Sequence, residues 1–195
     1  MKKICLLSFV LFFLLSCSNN EKALNPSENK ALSSASKAHI AMQDLSYEEL
    51  SSEDRELLDH AKDAMSKSYS PYSHFHVGSA LRSFDGEIIT GSNVENAAYG
   101  PSKCAEQVAL TRANMMGQAK IKTIAIIGKG EDFETEEVVA PCGVCRQVIY
   151  EFAQRSDTDI KIIMSNSRRD KIIVSTISEL LPLAFGPKDL GINVE

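Results

Sequence analysis

Three cysteines and one glutamate have the types and the spacing to bind a metal ion and to move a proton. They lie in two short motifs: K-C-A-E-Q-V-A-L (103–110), with Cys104 and Glu106, and P-C-G-V-C (141–145), with Cys142 and Cys145. At a helix start, two cysteines three positions apart can turn both sulfurs toward one point, and the positive helix end favours the thiolates that a metal needs. Three sulfurs without a fourth protein ligand leave one coordination position open, which is typical of catalytic zinc.

Each motif alone leaves other interpretations open. C-x-x-C also fits a redox pair or two core thiols, and an acid such as Glu106 stabilises the first turn of any helix. Beside a water molecule activated by a metal, however, the same acid becomes a candidate general acid and base. C-x-E followed by P-C-x-x-C is the pattern of zinc-dependent nucleobase deaminases, here with Cys104 in place of a first histidine ligand. The joint match favours a zinc site with Glu106 as the proton shuttle.

The elements that must position these residues alternate along the chain. Apolar spacing predicts helices from Ser51 to before Ser70, Cys104–Met116 and Pro141–Ala153, and a short helix from about Ser178. Strands are predicted at Phe75–Phe84 and Ile88–Thr90, joined by a turn at Asp85-Gly86, and at Thr123–Gly128, Ile160–Met164 and Ile172–Val174. This alternation predicts an α/β fold, a three-layer α/β/α sandwich around a five-stranded mixed sheet.

Composition narrows the class of partner. The chain has 195 residues, 44% of them hydrophobic and 24% charged, which is ordinary for a globular protein. Its formal net charge of -5 argues against a nucleic-acid partner, which normally binds a basic surface. We therefore expect a small-molecule substrate.

The sequence resembles a zinc-dependent cytidine deaminase of the small, homotetrameric, three-cysteine type over residues 46–195. Five motifs in order carry the resemblance: Y-S-P-Y-S-H-F-H-V-G-S-A-L (69–81), G-S-N-V-E-N-A-A-Y-G (91–100), C-A-E (104–106), P-C-G-V-C-R-Q (141–147) and E-L-L-P-L-A-F-G-P-K-D-L (179–190). The resemblance implies hydrolysis of cytidine and deoxycytidine to uridine and deoxyuridine, with release of ammonia. It also implies one Zn²⁺ per subunit and a homotetramer.

The resemblance assigns roles to the matching positions. The implied zinc ligands are Cys104, Cys142 and Cys145, and the implied proton shuttle is Glu106. The implied substrate contacts are the backbone N–H of Ala105 to the base, Asn93 and Glu95 to the ribose hydroxyls, and Phe75 against the pyrimidine. Tyr99 and Phe185 match positions that reach the site of a neighbouring subunit.

Gln107 departs from the family pattern, in which an arginine usually follows C-A-E. Three thiolates and Zn²⁺ sum to a charge of -1, which the arginine offsets; a glutamine offers a hydrogen bond without the charge. We expect reduced activity unless Arg146 or Lys103 compensates. Three alternatives remain: deamination of another amino-heterocycle such as a blasticidin-like nucleoside or guanine, an envelope C-x-x-C thiol oxidoreductase, and a zinc-binding protein without catalysis.

The N-terminus resembles a bacterial lipoprotein signal. Lys2 and Lys3 precede an apolar stretch at 4–15 that is too short to span a bilayer core of about 30 Å. L-L-S-C (14–17) then predicts a signal peptide at 1–16 and lipidation of Cys17, with an ordinary secretory signal as the alternative. We expect a flexible tether at 17–43 and the catalytic domain at 44–195. The expected location is the cell envelope, with membrane contact through Cys17; the alternative is the cytoplasm, where most of the family works.

Overall fold

A computed structural model describes residues 42–194, so the predicted signal peptide, Cys17 and nearly all of the predicted tether lie outside the described residues. The strands are β1 Gln43–Leu45, β2 Phe75–Ser83, β3 Ile88–Ser92, β4 Ile121–Gly130, β5 Lys161–Ser165 and β6 Ile172–Thr176. The helices are α1 Ser52–Met65, α2 Ala105–Met115, α3 Gly143–Ser156 and α4 Ile177–Leu180, with short 3-10 turns at Tyr47–Glu49 and Pro187–Leu190. None of the helices within 42–194 is long and apolar enough to cross a membrane.

The strands form one mixed sheet in the order β1-β6-β5-β4-β2-β3. β4 and β5 run parallel, and the other neighbours run antiparallel. The described part of the chain therefore has six strands where five were predicted. The additional strand, β1, begins at Gln43, the last residue of the predicted tether, and pairs with Val174 of β6. Three residues are too short for an apolar alternation, which is why the sequence pattern does not predict this edge strand.

Helices cover both faces of the sheet, which confirms the predicted three-layer sandwich. Alternate residues of β4 enter opposite cores: Ile124 and Ile126 pack with α2 and α3, whereas Ala125 and Ile127 pack with α1. A strand buried on both faces has this continuous apolar sequence, T-I-A-I-I-G. The core that contains Ile124 and Ile126 therefore holds α2 and α3 against one face of the sheet.

Gly91 on β3 lets the first turn of α2 lie directly on the sheet backbone. A Cβ atom at this position would stand 2.6 Å from the carbonyl oxygen of Ala105 and 2.5 Å from the amide nitrogen of Ala109. A larger residue would push the helix away, because its neighbours here are backbone atoms that cannot rotate aside. Gly91 thus sets the position of Cys104, the N-cap residue of α2.

Candidate active site

Three cysteine sulfurs converge at the N-termini of α2 and α3. The Sγ atoms of Cys104, Cys142 and Cys145 all lie within 4.8 Å of one another, and those of Cys142 and Cys145 are 3.5 Å apart. Cys104 is the N-cap of α2 and Cys142 the N-cap of α3, where its sulfur accepts a hydrogen bond from the backbone N–H of Cys145. Zinc–sulfur bonds of about 2.3 Å in a tetrahedron place sulfurs about 3.8 Å apart. The three thiol groups therefore fit one Zn²⁺, which their soft sulfur atoms favour.

Hydrogen bonding between the thiol groups of Cys104 and Cys145 shifts their pKa values in opposite directions. The hydrogen bond from Cys145 lowers the pKa of Cys104 to about 7, with a small contribution from the charge of Lys103. The same hydrogen bond, together with burial, raises the pKa of Cys145 above its usual range. Zinc binding requires thiolates, so loading the site releases the remaining protons and is favoured by higher pH.

Glu106 lies in the first turn of α2 beside the sulfurs and is only 4% exposed. Burial raises the pKa of its carboxyl group, while a hydrogen bond with Cys145 acts in the opposite direction. A raised pKa brings a carboxyl group closer to the operating pH, where it can both accept and donate a proton. The structure thus places the Glu106 carboxyl group next to the sulfur of Cys145.

Gln107 is a second polar side chain that contacts Cys145. Its Nε2 atom donates a hydrogen bond to Cys145 Sγ at 3.5 Å. The Nε and Nη1 atoms of Arg146 donate to the carbonyl oxygens of Pro141 and Leu180 at 2.9 and 3.0 Å. Arg146 thus ties the start of α3 to the end of α4, and its compensation of the sulfur charge stays a prediction.

Asn93 uses its side chain to hold the start of β2. Its Oδ1 atom accepts hydrogen bonds from the backbone N–H of Val77 at 2.8 Å and from Ser68 Oγ at 2.6 Å. Its Nδ2 atom donates to the carbonyl oxygen of Phe75 at 2.9 Å. An amide NH₂ group has two hydrogens, so one remains for a ligand. The predicted ribose contact is compatible with this second, structural role.

Glu95 holds the loop that precedes β2. Its Oε2 atom accepts hydrogen bonds from the backbone N–H groups of Tyr72 and Ser73 at 2.9 and 3.1 Å. Hydrogen bonding from Ser73 holds the pKa of the Glu95 carboxyl below its ordinary value. Glu95 is therefore a carboxylate, able to accept further hydrogen bonds from a sugar hydroxyl.

A short backbone pairing joins the polar loop formed by residues 93–95 to the sulfur cluster. The N–H of Val94 donates to the carbonyl oxygen of Lys103 at 3.0 Å, and the N–H of Lys103 donates back at 2.9 Å. Asn93 and Glu95 flank Val94, and Cys104 follows Lys103 along the chain. The structure thus brings together the motifs at 69–81, 91–100 and 104–106.

The other predicted contacts differ in exposure. Ala105 is fully buried at the start of α2, where backbone N–H groups have no partner within the helix. The rings of Tyr99 and Phe185 are exposed, and Tyr99 makes an edge-on contact with Tyr72 at a centroid distance of 6.2 Å. The predicted reach of Tyr99 and Phe185 into a neighbouring subunit stays a prediction.

Phe133 is a neighbour of the site that the sequence patterns do not predict. Its ring lies 6.2 Å from that of Phe75, centroid to centroid, at an interplanar angle of 39°. The sequence feature that could have drawn attention to Phe133 is its surroundings, because it is the single aromatic residue in the acidic run E-D-F-E-T-E-E at 131–137.

Comparison with known proteins gives a consistent result. The sequence model described as "Cytidine and deoxycytidylate deaminase zinc-binding region" matches residues 51–157. The cytidine deaminase of Halalkalibacterium halodurans is 41% identical over 135 residues, which are 69% of this chain and 96% of that protein. The cytidine deaminase of Sporosarcina psychrophila is 40% identical over 139 residues, or 71% of this chain and 96% of the relative.

Solved structures agree with this result. The crystal structure of cytidine deaminase from Burkholderia pseudomallei superposes with a TM-score of 0.60 and 40% identity, covering 67% of this chain and 97% of that one. The cytidine deaminase from Mycobacterium tuberculosis gives a TM-score of 0.53 and 31% identity, over 67% of this chain and 95% of the other. The chain belongs to the cytidine deaminase family, a family of zinc-binding hydrolytic deaminases.

Proposed function

We propose that this protein hydrolyses cytidine and deoxycytidine to uridine and deoxyuridine and releases ammonia. The observation that carries the proposal is the convergence of three cysteine sulfurs and the buried Glu106 at two helix N-termini, beside the Asn93–Glu95 loop. Cys104, Cys142 and Cys145 would hold the zinc ion, which would supply a nucleophile derived from water at neutral pH. The chain's own side chains and backbone groups supply the rest of the chemistry.

Glu106 moves the protons of this reaction. Its carboxylate accepts a proton from the attacking water and delivers it to the ring nitrogen of cytosine. It then passes the second proton of that water to the departing amino group, so that cytidine and water become uridine and ammonia. Its burial supports this role, because a carboxyl group with a raised pKa holds a proton for the next transfer.

The polar loop and the start of β2 hold the nucleoside. Asn93 donates its remaining N–H to a ribose hydroxyl, and the Glu95 carboxylate accepts from one. The ring of Phe75 packs on the pyrimidine, and the backbone N–H of Ala105 donates to the base. These contacts orient C4 of cytosine toward the sulfur cluster.

The decisive experiment is incubation of purified residues 18–195 with cytidine, with assays for ammonia and for bound zinc. We expect one zinc per chain and release of ammonia equal to the uridine formed. Zinc without ammonia would indicate a binding protein without catalysis, and neither would favour a thiol oxidoreductase. Parallel assays with deoxycytidine, blasticidin S and guanine distinguish the substrate class, and we expect the two cytosine nucleosides to react fastest.

We propose further that the active form is a homotetramer. Besides the family resemblance, exposed apolar side chains support it: Val144 at 65%, Leu183 at 104% and Phe185 at 60%. The mass in solution, measured by light scattering, tests this assembly. We expect four chains in the wild-type protein and smaller species with lower activity for Phe185→Ala; a monomer with full activity would contradict the proposal.

Anchoring at the cell envelope through a lipid on Cys17 is a separate proposal, supported by L-L-S-C after the apolar stretch at 4–15. Cells that express the full chain and grow with labelled palmitate test it. We expect a labelled protein in the membrane fraction and loss of the label in Cys17→Ala. Label that persists in this variant would contradict the anchor without affecting the proposed deamination.

A further inference from the structure

Phe133 is an exposed aromatic residue that the proposed chemistry leaves without a role. It lies in the loop at 131–137 between β4 and α3, which contains five acidic residues, and 60% of its surface is exposed. A large apolar side chain within an acidic loop stabilises the fold little, because most of its surface stays in water. Its position therefore calls for another explanation.

The Phe133 ring packs against the backbone of β4 at a glycine. A Cβ atom at Gly130 would stand 2.1 to 2.5 Å from three carbon atoms of this ring, so the ring occupies the space that a side chain would take at this position. Gly128 plays a similar part for Phe75, whose ring would be 3.1 Å from a Cβ atom there. The two rings thus pack next to each other against the glycines of the G-K-G segment at the end of β4.

Hydrogen bonds hold the loop on both sides of Phe133. On one side, Glu131 donates its backbone N–H to the carbonyl oxygen of His74 at 2.8 Å and pairs its carboxylate with the His74 ring at 2.7 Å. On the other, Thr135 donates its hydroxyl to the carbonyl oxygen of Gly128 at 3.1 Å and its N–H to Ser167 Oγ at 2.8 Å. An aromatic ring held in this way is preorganised for a contact on its open face.

The neighbouring ring connects Phe133 to the proposed active site. The carbonyl oxygen of Phe75 accepts a hydrogen bond from Asn93, which precedes the Val94–Lys103 pairing next to Cys104. We propose that Phe133 is a second aromatic wall of the nucleoside site, which fixes the Phe75 ring and packs its open face on the bound pyrimidine nucleoside. This inference rests on the proposed function and adds a residue that determines nucleoside affinity.

Steady-state kinetics of Phe133→Ala in the full-length protein, purified in detergent, test the wall. Loss of one aromatic contact predicts a KM for cytidine raised about fivefold, with kcat, zinc content and unfolding temperature close to wild type. Phe84→Ala is the matched control, because Phe84 is similarly exposed at 53% but follows the far end of β2. An unchanged KM in Phe133→Ala would overturn the proposal, as would a smaller assembly, since Phe133 would then be a subunit contact.

Fluorescence gives a readout that is independent of catalysis. The chain contains no tryptophan, so Phe133→Trp and Phe84→Trp each introduce a single reporter. We expect uridine, a product that does not react further, to change the emission of Phe133→Trp saturably and to leave that of Phe84→Trp unchanged. A flat titration of Phe133→Trp would overturn the wall even if Phe133→Ala does not fold.

The two proposals fail in different ways. If the wild-type protein releases no ammonia from cytidine, the proposed function is wrong, and the Phe133→Trp titration is extended to guanosine and adenosine. A saturable change with any of these nucleosides would still support an aromatic wall. Normal deamination together with a flat titration would overturn the wall alone.

Discussion

Cys104 and Cys142 are each placed by the start of a helix, whereas Asn93 and Glu95 are placed by hydrogen bonds to a distant part of the chain. α2 and α3 rest on the apolar core, so the sulfur cluster inherits the rigidity of the sheet. The polar loop is held by four backbone groups of residues 72–77: the N–H groups of Tyr72, Ser73 and Val77 and the carbonyl oxygen of Phe75. Each cysteine is therefore positioned by its own helix start on the core, and the polar loop depends on hydrogen bonds between distant segments.

Removal of a sulfur should have the largest effect. Cys145→Ser replaces a buried soft ligand by a hard oxygen, so we expect loss of bound zinc and of cytidine deamination. Metal analysis and an ammonia assay on the same sample measure both quantities. Val144→Ala is the neighbouring control and should keep its zinc; full activity of Cys145→Ser would contradict the assignment of the metal centre.

Removal of the carboxyl group should leave the metal in place. Glu106→Gln keeps the size and the burial of the side chain but cannot accept a proton, so kcat should fall by about 10²–10⁴-fold with one zinc still bound. Single-turnover assays with cytidine, paired with metal analysis, measure this difference. Activity within a factor of about three of wild type would show that another group carries the proton.

Glu106→Gln should also change how stability depends on pH. Because burial raises the pKa of Glu106, the folded zinc-free protein binds this proton more tightly than the unfolded chain does. The carboxyl group then costs no stability below its unfolded pKa of about 4.3, and destabilises the fold increasingly as the pH rises toward the folded value. Thermal unfolding of chelator-treated protein should show Glu106→Gln gaining stability over wild type as the pH rises above the unfolded pKa of about 4.3. A difference that stays constant with pH would contradict a raised pKa.

A substitution in the polar loop should reduce both the stability of the fold and the affinity for cytidine. Asn93→Ala removes three hydrogen bonds and leaves partly buried backbone groups of Val77 and Phe75 unpaired, which should cost about 1–3 kcal/mol. The unfolding temperature should fall by about 2–4 °C per kcal/mol for a chain of this size, and the KM for cytidine should rise. Asn96→Ala, an exposed asparagine in the same loop, is the control. A raised KM without lower stability would show that Asn93 contacts substrate but does not brace the fold.

The same difference explains what the sequence can predict. Cys142 and Cys145 are three positions apart on one helix, and apolar spacing predicts both helix starts, so the sulfur cluster can be inferred from local patterns. The bracing role of Asn93 depends on the pairing of β2 with its neighbours, which no local pattern specifies. β1 escapes prediction for a related reason, because its three residues become a strand only through pairing with β6.

Phe133 and Arg146 are two residues whose contacts the local sequence pattern does not predict. Phe133 lies beside Phe75 because β4 continues past the predicted end at Gly128 to Gly130, which carries the ring into contact. Arg146, a candidate to offset the charge of the sulfurs, also binds the carbonyl oxygen of Leu180 at the end of α4. In both cases a segment distant along the chain decides what the side chain contacts.

The smallest expected effect tests the charge on the sulfur cluster. Gln107 gives Cys145 a neutral hydrogen bond, so Gln107→Arg adds a cation beside three thiolates and one Zn²⁺, whose formal charges sum to -1. Less excess negative charge lowers the pKa of a water held by the metal, so we expect kcat for cytidine to rise a few-fold and the acidic limb of its pH profile to move to lower pH. The rate at which a chelator removes zinc gives a second readout and should fall. Gln107→Lys, which adds charge without the planar donor pair, should reproduce part of the shift. Turnover of Gln107→Arg well below the native rate, with zinc retained, would show that hydrogen-bond geometry at Cys145 matters more than charge.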